Sequence, residues 1–236
     1  MNVAYNADCL AAMREMSENA FDLAVVDPPY GIGESGAKAK TRSHIAAAKG
    51  YKPFAGEDKE PPPLEYFKQL ARVSKNQIIF GANHFISRLP SEINTPCWIV
   101  WDKQNGESDF ADFEMAWTSF SCAARMFRFR WAGMLQGNMK NKEVRIHPTQ
   151  KPVALYAWIF AKFAKPGDRV LDTHLGSGSS RIAAWDAGLD FVGYEIDQEY
   201  FEAQEKRFRD HTAQITLFGG GGHPNHNYHP ADYGGM

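Results

Sequence analysis

Short apolar runs alternate with amphipathic segments along most of the chain, which predicts strands and helices in succession and an α/β fold. Asn2–Ala7 predicts a strand, Leu10–Met16 a helix, and Phe21-Asp22-Leu23-Ala24-Val25-Val26 a second, buried strand. Pro61-Pro62-Pro63 introduces Leu64–Val73, whose apolar positions recur at helical spacing. Gln77–Phe80 predicts a strand, a short helix follows near Asn83–Leu89, and Trp98–Trp101 predicts the next strand. Phe113–Thr118 and Arg125–Trp131 fit the two arms of a hairpin. The second half reads as a βαβ unit. A helix opens at Lys151-Pro152 and runs through about Ala164, with Gly167 beyond it. Strand Arg169–Thr173, glycine-rich turn His174–Ser180, helix Arg181–Ala187, strand Phe191–Ile196 and charged helix Gln198–Asp210 complete it.

Three segments interrupt this pattern. Gly31–Lys59 is polar and longer than an ordinary connection, which predicts a mobile loop over about 31–60. Gly133–Arg145 has neither period and reads as a small insertion within about 131–146. After Phe218 the chain is rich in Gly and His with little to bury, so 219–236 is expected to be a disordered tail and 1–218 a single domain. The 236 residues and 44% hydrophobic content suit that size. No apolar run is long enough to read as a membrane span, and the first residues lack the basic and apolar regions of a secretory signal. Cys9, Cys97 and Cys122 are odd in number and far apart, which argues against a disulfide framework and for a reducing compartment such as the cytoplasm.

Candidate chemistry begins where the buried strand ends, at Asp27-Pro28-Pro29-Tyr30. A strand running into this turn puts a carboxylate, a rigid bend and an aromatic ring at the carboxyl edge of a sheet, where ligands of open α/β sheets bind. A flat ring carrying an exocyclic amine, such as a nucleobase, has the shape and the two N–H donors to fit there. A second constellation follows the later strand, in Val170-Leu171-Asp172-Thr173-His174-Leu175-Gly176-Ser177-Gly178-Ser179-Ser180. Gly176 and Gly178 allow a ligand close to the backbone, and Glu195, at the end of the next strand, is placed to accept from ribose hydroxyls. Arg181 stands where a dinucleotide fingerprint would carry its third glycine, which points to an adenosine-containing cofactor other than NAD. The net charge of −2 announces no nucleic-acid partner, so any such surface must be local. Two basic stretches qualify, one with Lys38, Lys40 and Arg42, the other with Arg128, Arg130, Lys140, Lys142 and Arg145.

Several motifs in order carry a family resemblance over about Met1 to Phe218. They are Asn6-Ala7-Asp8-Cys9-Leu10, Asp27-Pro28-Pro29-Tyr30, Phe80-Gly81-Ala82-Asn83-His84-Phe85, Trp98-Ile99-Val100-Trp101-Asp102-Lys103, His147-Pro148-Thr149-Gln150-Lys151-Pro152 and Leu171–Ser180. The chain resembles a β-class, S-adenosylmethionine-dependent DNA amino-methyltransferase of the small solitary phage or prophage type. The catalytic motif precedes the cofactor motif, as in that permuted class. The resemblance implies a Rossmann-like class I methyltransferase fold with a seven-stranded mixed sheet flanked by helices. It implies methyl transfer from S-adenosylmethionine to adenine N6 in double-stranded DNA, by base flipping and without a metal. Asp27, Pro28, Pro29 and Tyr30 would be catalytic. Asp8, Cys9, Asp27, Thr149, Lys151, Asp172, Leu175, Gly176, Ser177, Gly178, Ser179, Glu195 and Ile196 would bind the cofactor. Lys151 would lie near the methionine end, where it suits a carboxylate. Where many relatives have D-P-F, this chain has Asp172-Thr173-His174, which leaves the contacts of Thr173 and His174 open.

Other readings stay open on the residues alone. Cytosine N4 methylation would use the same fold, a catalytically silent DNA-binding accessory protein would keep the basic stretches, and a nicotinamide oxidoreductase would leave Asp27–Tyr30 unexplained. Gln214-Ile215-Thr216-Leu217-Phe218 resembles the pentapeptide that bacterial proteins insert into the sliding clamp, with packing back on the domain as the alternative. β-class enzymes often form homodimers, which nothing in these residues addresses. The target sequence, a restriction partner and the biological role are not legible. His223, His226 and His229 share a three-residue spacing, but a Gly-rich tail is a poor metal site.

Overall fold

The computed structural model describes residues 1–33, 57–89, 95–106, 111–132, 135–140 and 142–218. Lys38, Lys40, Arg42, most of the expected 31–60 loop and the 219–236 tail with its histidines lie outside the described residues. Strands β1 (Asn2–Asn6), β2 (Phe21–Val26), β3 (Ser74–Phe80), β4 (Trp98–Asp102), β5 (Phe113–Thr118), β6 (Arg125–Arg128), β9 (Arg169–Asp172) and β10 (Asp190–Glu195) form one eight-stranded sheet in the order β1-β10-β9-β2-β3-β5-β4-β6. Within it, β5 alone runs antiparallel to its neighbours. The resemblance implies seven strands; the sheet has eight, with β6 at the edge pairing in parallel with β4. The expected hairpin is therefore wrong. Phe113–Thr118 fills the gap between β3 and β4 instead of pairing with Arg125–Arg128. A short second ribbon, β7 (Trp131–Ala132) with β8 (Leu135–Gln136), gives the small insertion its only regular pairing among the described residues.

Both faces of the sheet are covered, which is why its central strands are nearly continuous apolar runs. Leu23 and Val25 of β2, with Ile78 and Phe80 of β3, pack with helices α3 (Val153–Phe163) and α4 (Ser179–Asp186). Ala24, Val26 and Ile79 face the other way, against α1 (Cys9–Glu15) and α2 (Leu64–Val73). Helix α2 puts Tyr66, Phe67, Leu70 and Val73 into that core at the spacing of one helical face. The final helix, α5 (Gln198–Phe218), continues past the expected end at Asp210, so Gln214–Phe218 is helical backbone.

Two features of this layout were not expected. Cys97 and Cys122 form a disulfide with Cα atoms 4.9 Å apart, while Cys9 is free. They precede the paired strands β4 and β6 in nearly matching register, so sheet pairing rather than sequence spacing brings them together. Arg181, at the position of the missing third glycine, is buried. It is held by Asn2 at 2.8 Å and Gln204 at 3.0 Å, with its guanidinium 4.0 Å from the Phe208 ring centre. A long side chain belongs there because it fastens α4 to β1 and α5. Among the described residues no helix is long and apolar enough to cross a membrane.

Candidate active site

Chain direction collects the candidate residues at one edge. The parallel strands end there in Asp8, Asp27, Gly81, Asp102, Asp172 and Glu195. The chain proceeds outward from β9 through α4 to β10, and from β2 through α2 to β3 on the other side. Adjacent β9 and β2 therefore form the topological switch point, where a crevice opens in α/β sheets. Asp27 stands on one lip and Asp172-Thr173-His174 on the other.

Around Asp27 the side chains form a network that the motifs disclosed only in part. Lys151 Nζ donates to Asp27 Oδ2 at 2.5 Å and lies 3.1 Å from the Tyr30 hydroxyl, which itself donates to Asp27 Oδ1 at 2.7 Å. Glu114, from β5, takes Lys151 at 3.1 Å and Lys103 at 2.6 Å. Both Asp27 oxygens accept, as a carboxylate must. Burial pushes the Asp27 carboxyl up and Lys151 pulls it back, leaving it above its ordinary value. Burial would likewise raise Glu114, but Lys151 and Lys103 outweigh it and hold the group at about 2. Burial alone would lower the Lys151 pKa, yet Asp27 and Glu114 keep it above the ordinary lysine range. Tyr30 is raised well above its ordinary value by burial and by Asp27, so it stays a neutral donor. Its ring stacks on exposed His84 at 5.2 Å. Lys151 was expected near the methionine end of a cofactor, and here it points into the Asp27 cluster.

Past this turn the chain is fastened by a residue that no motif singled out. Buried Asp58 accepts from the Gly31 amide at 2.7 Å and the Ile32 amide at 3.3 Å, and its carbonyl accepts from Gly33 at 2.6 Å. Pro28 is buried, and Pro29 and Tyr30 are half-buried.

The glycine turn is held from beneath and from the side. Asp172 is buried and accepts from Ser180 Oγ at 2.5 Å and the His174 amide at 3.0 Å; burial raises it to about 7. Glu195 accepts from the Gly176 amide at 2.8 Å and the Asp197 amide at 2.9 Å, and burial raises it. Gly176 and Gly178 have φ of +51° and +73°, a region costly for residues with a Cβ. Leu175 is buried and donates its amide to the Tyr194 carbonyl at 2.9 Å. The Ser177 and Ser179 hydroxyls lie 3.1 Å apart and buried. Thr173 and His174 find partners too: the Tyr66 hydroxyl meets Thr173 Oγ1 at 2.6 Å, and Thr173 Oγ1 meets His174 Nδ1 at 2.9 Å.

Neighbouring candidates complete the rim. Asp8 caps α1 by accepting from the Leu10 amide at 2.8 Å. The Cys9 thiol is pushed up to about 12 by burial and by Asp8, which makes it a packing group rather than a nucleophile. Ile196 is 62% exposed beside Glu195, an apolar surface next to a carboxylate at the open edge. Thr149 donates to His147, and burial lowers the His147 imidazole to about 4. These residues fit an adenosine-containing group: Gly176 leaves its backbone half-exposed, Glu195 offers a fixed carboxylate, and Ile196 offers a flat apolar neighbour.

Of the expected basic residues, Arg128 and Arg130 are exposed at the end of β6, on the same edge as Asp27, with Arg128 near Asp102 at 3.5 Å. Lys140 and Lys142 are exposed on the segment leading to Lys151. Arg145 departs from the expectation of a solvated phosphate contact. It is half-buried with its guanidinium 4.4 Å from the Trp131 ring centre. Glu143, the acid of this basic stretch, ties it to the cofactor half. It takes Arg207 at 2.7 Å and the Val153 amide at 2.9 Å, while Arg207 reaches the Ser177 carbonyl at 2.8 Å.

Comparison with known proteins agrees with this geometry. Residues 101–206 match the N6/N4 methyltransferase family, described as DNA methylase. That stretch is similar to a DNA methylase domain. The chain is 25% identical over 256 residues to the Type II methyltransferase M.HinfI of Haemophilus influenzae, covering 89% of this chain and 69% of that protein. It is 23% identical over 241 residues to the Type II methyltransferase M2.MboI of Moraxella bovis, covering 88% of each. The methylase fold also matches solved structures. The complex of M1.HpyAVI with S-adenosylmethionine aligns with a TM-score of 0.57 at 23% identity, over 88% of this chain and 100% of that one. PvuII DNA methyltransferase, a cytosine-N4-specific enzyme, aligns with a TM-score of 0.57 at 12% identity, over 91% and 93%. The methylase fold is therefore shared by structures whose sequences have diverged widely, and it does not by itself name the base.

Proposed function

We propose that this DNA methyltransferase transfers a methyl group from S-adenosylmethionine to the N6 amino group of adenine in double-stranded DNA. The observation that carries the reading is the pairing of two sites across the switch point. Asp27 and Tyr30 stand at the end of β2, and the turn with Gly176, Gly178 and Glu195 lies against neighbouring β9 and β10. The cofactor supplies an electrophilic methyl group on a sulfonium sulfur. Glu195 would hold its ribose hydroxyls, with Asp8 and Ile196 at the adenine.

An amino group stacked in a duplex cannot reach this crevice, so the target base must be turned out of the helix. Tyr30 with His84 offers the aromatic surface on which it would stack. The amino nitrogen is a weak nucleophile because its lone pair is delocalised into the ring. Asp27 and the Pro28 carbonyl would accept the two amino hydrogens, favouring a pyramidal nitrogen with its lone pair free. The remaining contribution is orientation and a fixed electrostatic environment. Arg128, Arg130, Lys140 and Lys142 would track phosphates beside the crevice. Adenine is favoured over cytosine by aspartate at the first position of the catalytic motif, a residue common in N6 enzymes where N4 enzymes tend to have serine.

Mass spectrometry of nucleosides from unmethylated DNA incubated with protein and S-adenosylmethionine tests this reading. The expected product is N6-methyladenine, absent with Asp27→Ala. N4-methylcytosine would overturn the base assignment and keep the chemistry. No methylated base across varied DNA sequences would point to a silent DNA-binding protein.

A further inference from the structure

A lysine ammonium has three N–H donors, and three acceptors surround that of Lys151: Asp27 at 2.5 Å, Tyr30 at 3.1 Å and Glu114 at 3.1 Å. Lys151 and Asp27 belong to motifs already assigned, whereas Glu114 and Lys103 have no role in the reading above. The Glu114 side chain is 22% exposed and the Lys103 side chain 18%, against 4% for Lys151. The four charges alternate in sign along a row, Asp27, Lys151, Glu114, Lys103, in which Lys151 is the most buried.

Lys151 and Tyr30 occupy Asp27 in the same place where the methyl-transfer reading, on which this inference rests, needs it to accept an amino hydrogen. A buried ammonium leaving its only carboxylate would be stranded at high cost. Lys151 has a second carboxylate within reach. We propose that Glu114 is a positioning residue that lets Lys151 withdraw from Asp27 when the target base enters, and return when the product leaves. Lys103 neutralises the outer oxygen of Glu114 and so limits how strongly Glu114 holds Lys151. The ammonium shifts between two acceptors and no proton changes owner.

Other ionisable groups near Asp27 come from every layer: Tyr156 of α3, Tyr66 of α2, Asp172 of β9 and Tyr30 of its own turn. Of these, Tyr30 touches both Asp27 and Lys151, and its pKa is raised well above 10, so it stays neutral across the test and changes at Glu114 and Lys103 act mainly through the ammonium.

The test is the pH dependence of single-turnover methyl transfer for the wild type, Glu114→Gln, Glu114→Asp and Lys103→Gln, with cofactor and DNA affinities measured alongside. Glu114→Gln removes a negative charge that raises Asp27, so the acid limb should move down by roughly half a pH unit or more. Its rate should fall about tenfold or more while both affinities hold within about twofold. Lys103→Gln leaves Glu114 less neutralised and draws Lys151 outward, so the acid limb should move up. Glu114→Asp should restore part of the rate. Lys103 meets Glu114 at the far end of the row from Asp27, so Lys103→Gln keeps the comparison usable should Glu114→Gln fold poorly. Limbs that stay in place or move together, or a wild-type rate in Glu114→Gln, would overturn the proposal while an active wild type upholds methyl transfer. A wild type that transfers no methyl group would overturn both.

Discussion

A Cβ on Gly81 would stand 2.0 Å from the Tyr30 ring, and the residue's φ is +68°. Both facts demand glycine, because an added carbon would push the ring and a left-handed backbone costs other residues about 1–2 kcal/mol. Gly81→Ala is therefore expected to lower the melting temperature by a few degrees, about 2–4 °C per kcal/mol for a chain of this size. It should also slow methyl transfer about tenfold or more through displacement of Tyr30. A thermal melt and single-turnover transfer check the two separately, and a wild-type rate would show that the ring's place is not critical. Sequence reasoning reached Asp27 and Tyr30 because their turn ends an apolar run. It missed Asp58 and Glu114 because their contacts join residues 27 and 84 positions apart, and neither stands in a recognisable pattern.

At the scale of elements, the turn after β9 shows how a departure from a family pattern is absorbed. Thr173 and His174 replace apolar residues common in relatives, and Tyr66 from α2 supplies their hydrogen-bonding partner. Burial lowers His174 from 6.5 to about 4. A depressed histidine stabilises the fold fully above its unfolded pKa and loses that contribution as pH falls from 6.5 toward 4. Between pH 7.5 and 5.5 the loss is about 1 kcal/mol, or about 2–4 °C. Asp172, raised to about 7, works in the opposite sense: its contribution is present at low pH and lost as pH rises through that value. The measurement is consequently a difference between the wild type and His174→Phe, in which Asp172 is common to both. The variant should lose less stability on acidification than the wild type, and parallel pH curves would rule out a buried neutral His174. Elements themselves were legible wherever a local period defined them: β2 and α2 have the bounds that their apolar spacing predicts. Pairing was not legible for β5 and β6, because the partners of each strand are chosen by the closing sheet rather than by the nearest turn.

At the scale of the molecule, motif order carried more than any single motif. The Asp27–Tyr30 turn at the end of β2 and the glycine turn after β9 lie far apart in sequence, yet they meet because those strands are neighbours at the switch point. The fold class followed from that order, and the position of the crevice followed from the fold class. The pairing of β6 with β4, the Arg207–Glu143 tie and the charge row through Glu114 depend on packing between distant segments, which no local pattern records.

In the proposed reaction labour is divided across the crevice, with Asp27 serving the base and Glu195 the cofactor. Single-turnover methyl transfer to unmethylated DNA, measured with the S-adenosylmethionine Kd for the wild type, Asp27→Ala and Glu195→Ala, tests that division most directly. Asp27→Ala should bind the cofactor as the wild type does and transfer nothing measurable. Glu195→Ala should bind it about tenfold more weakly or worse and recover transfer as the cofactor concentration rises, since losing a hydrogen bond to a charged group costs about 1.5–3 kcal/mol. Transfer by Asp27→Ala, or unchanged cofactor affinity in Glu195→Ala, would contradict the account.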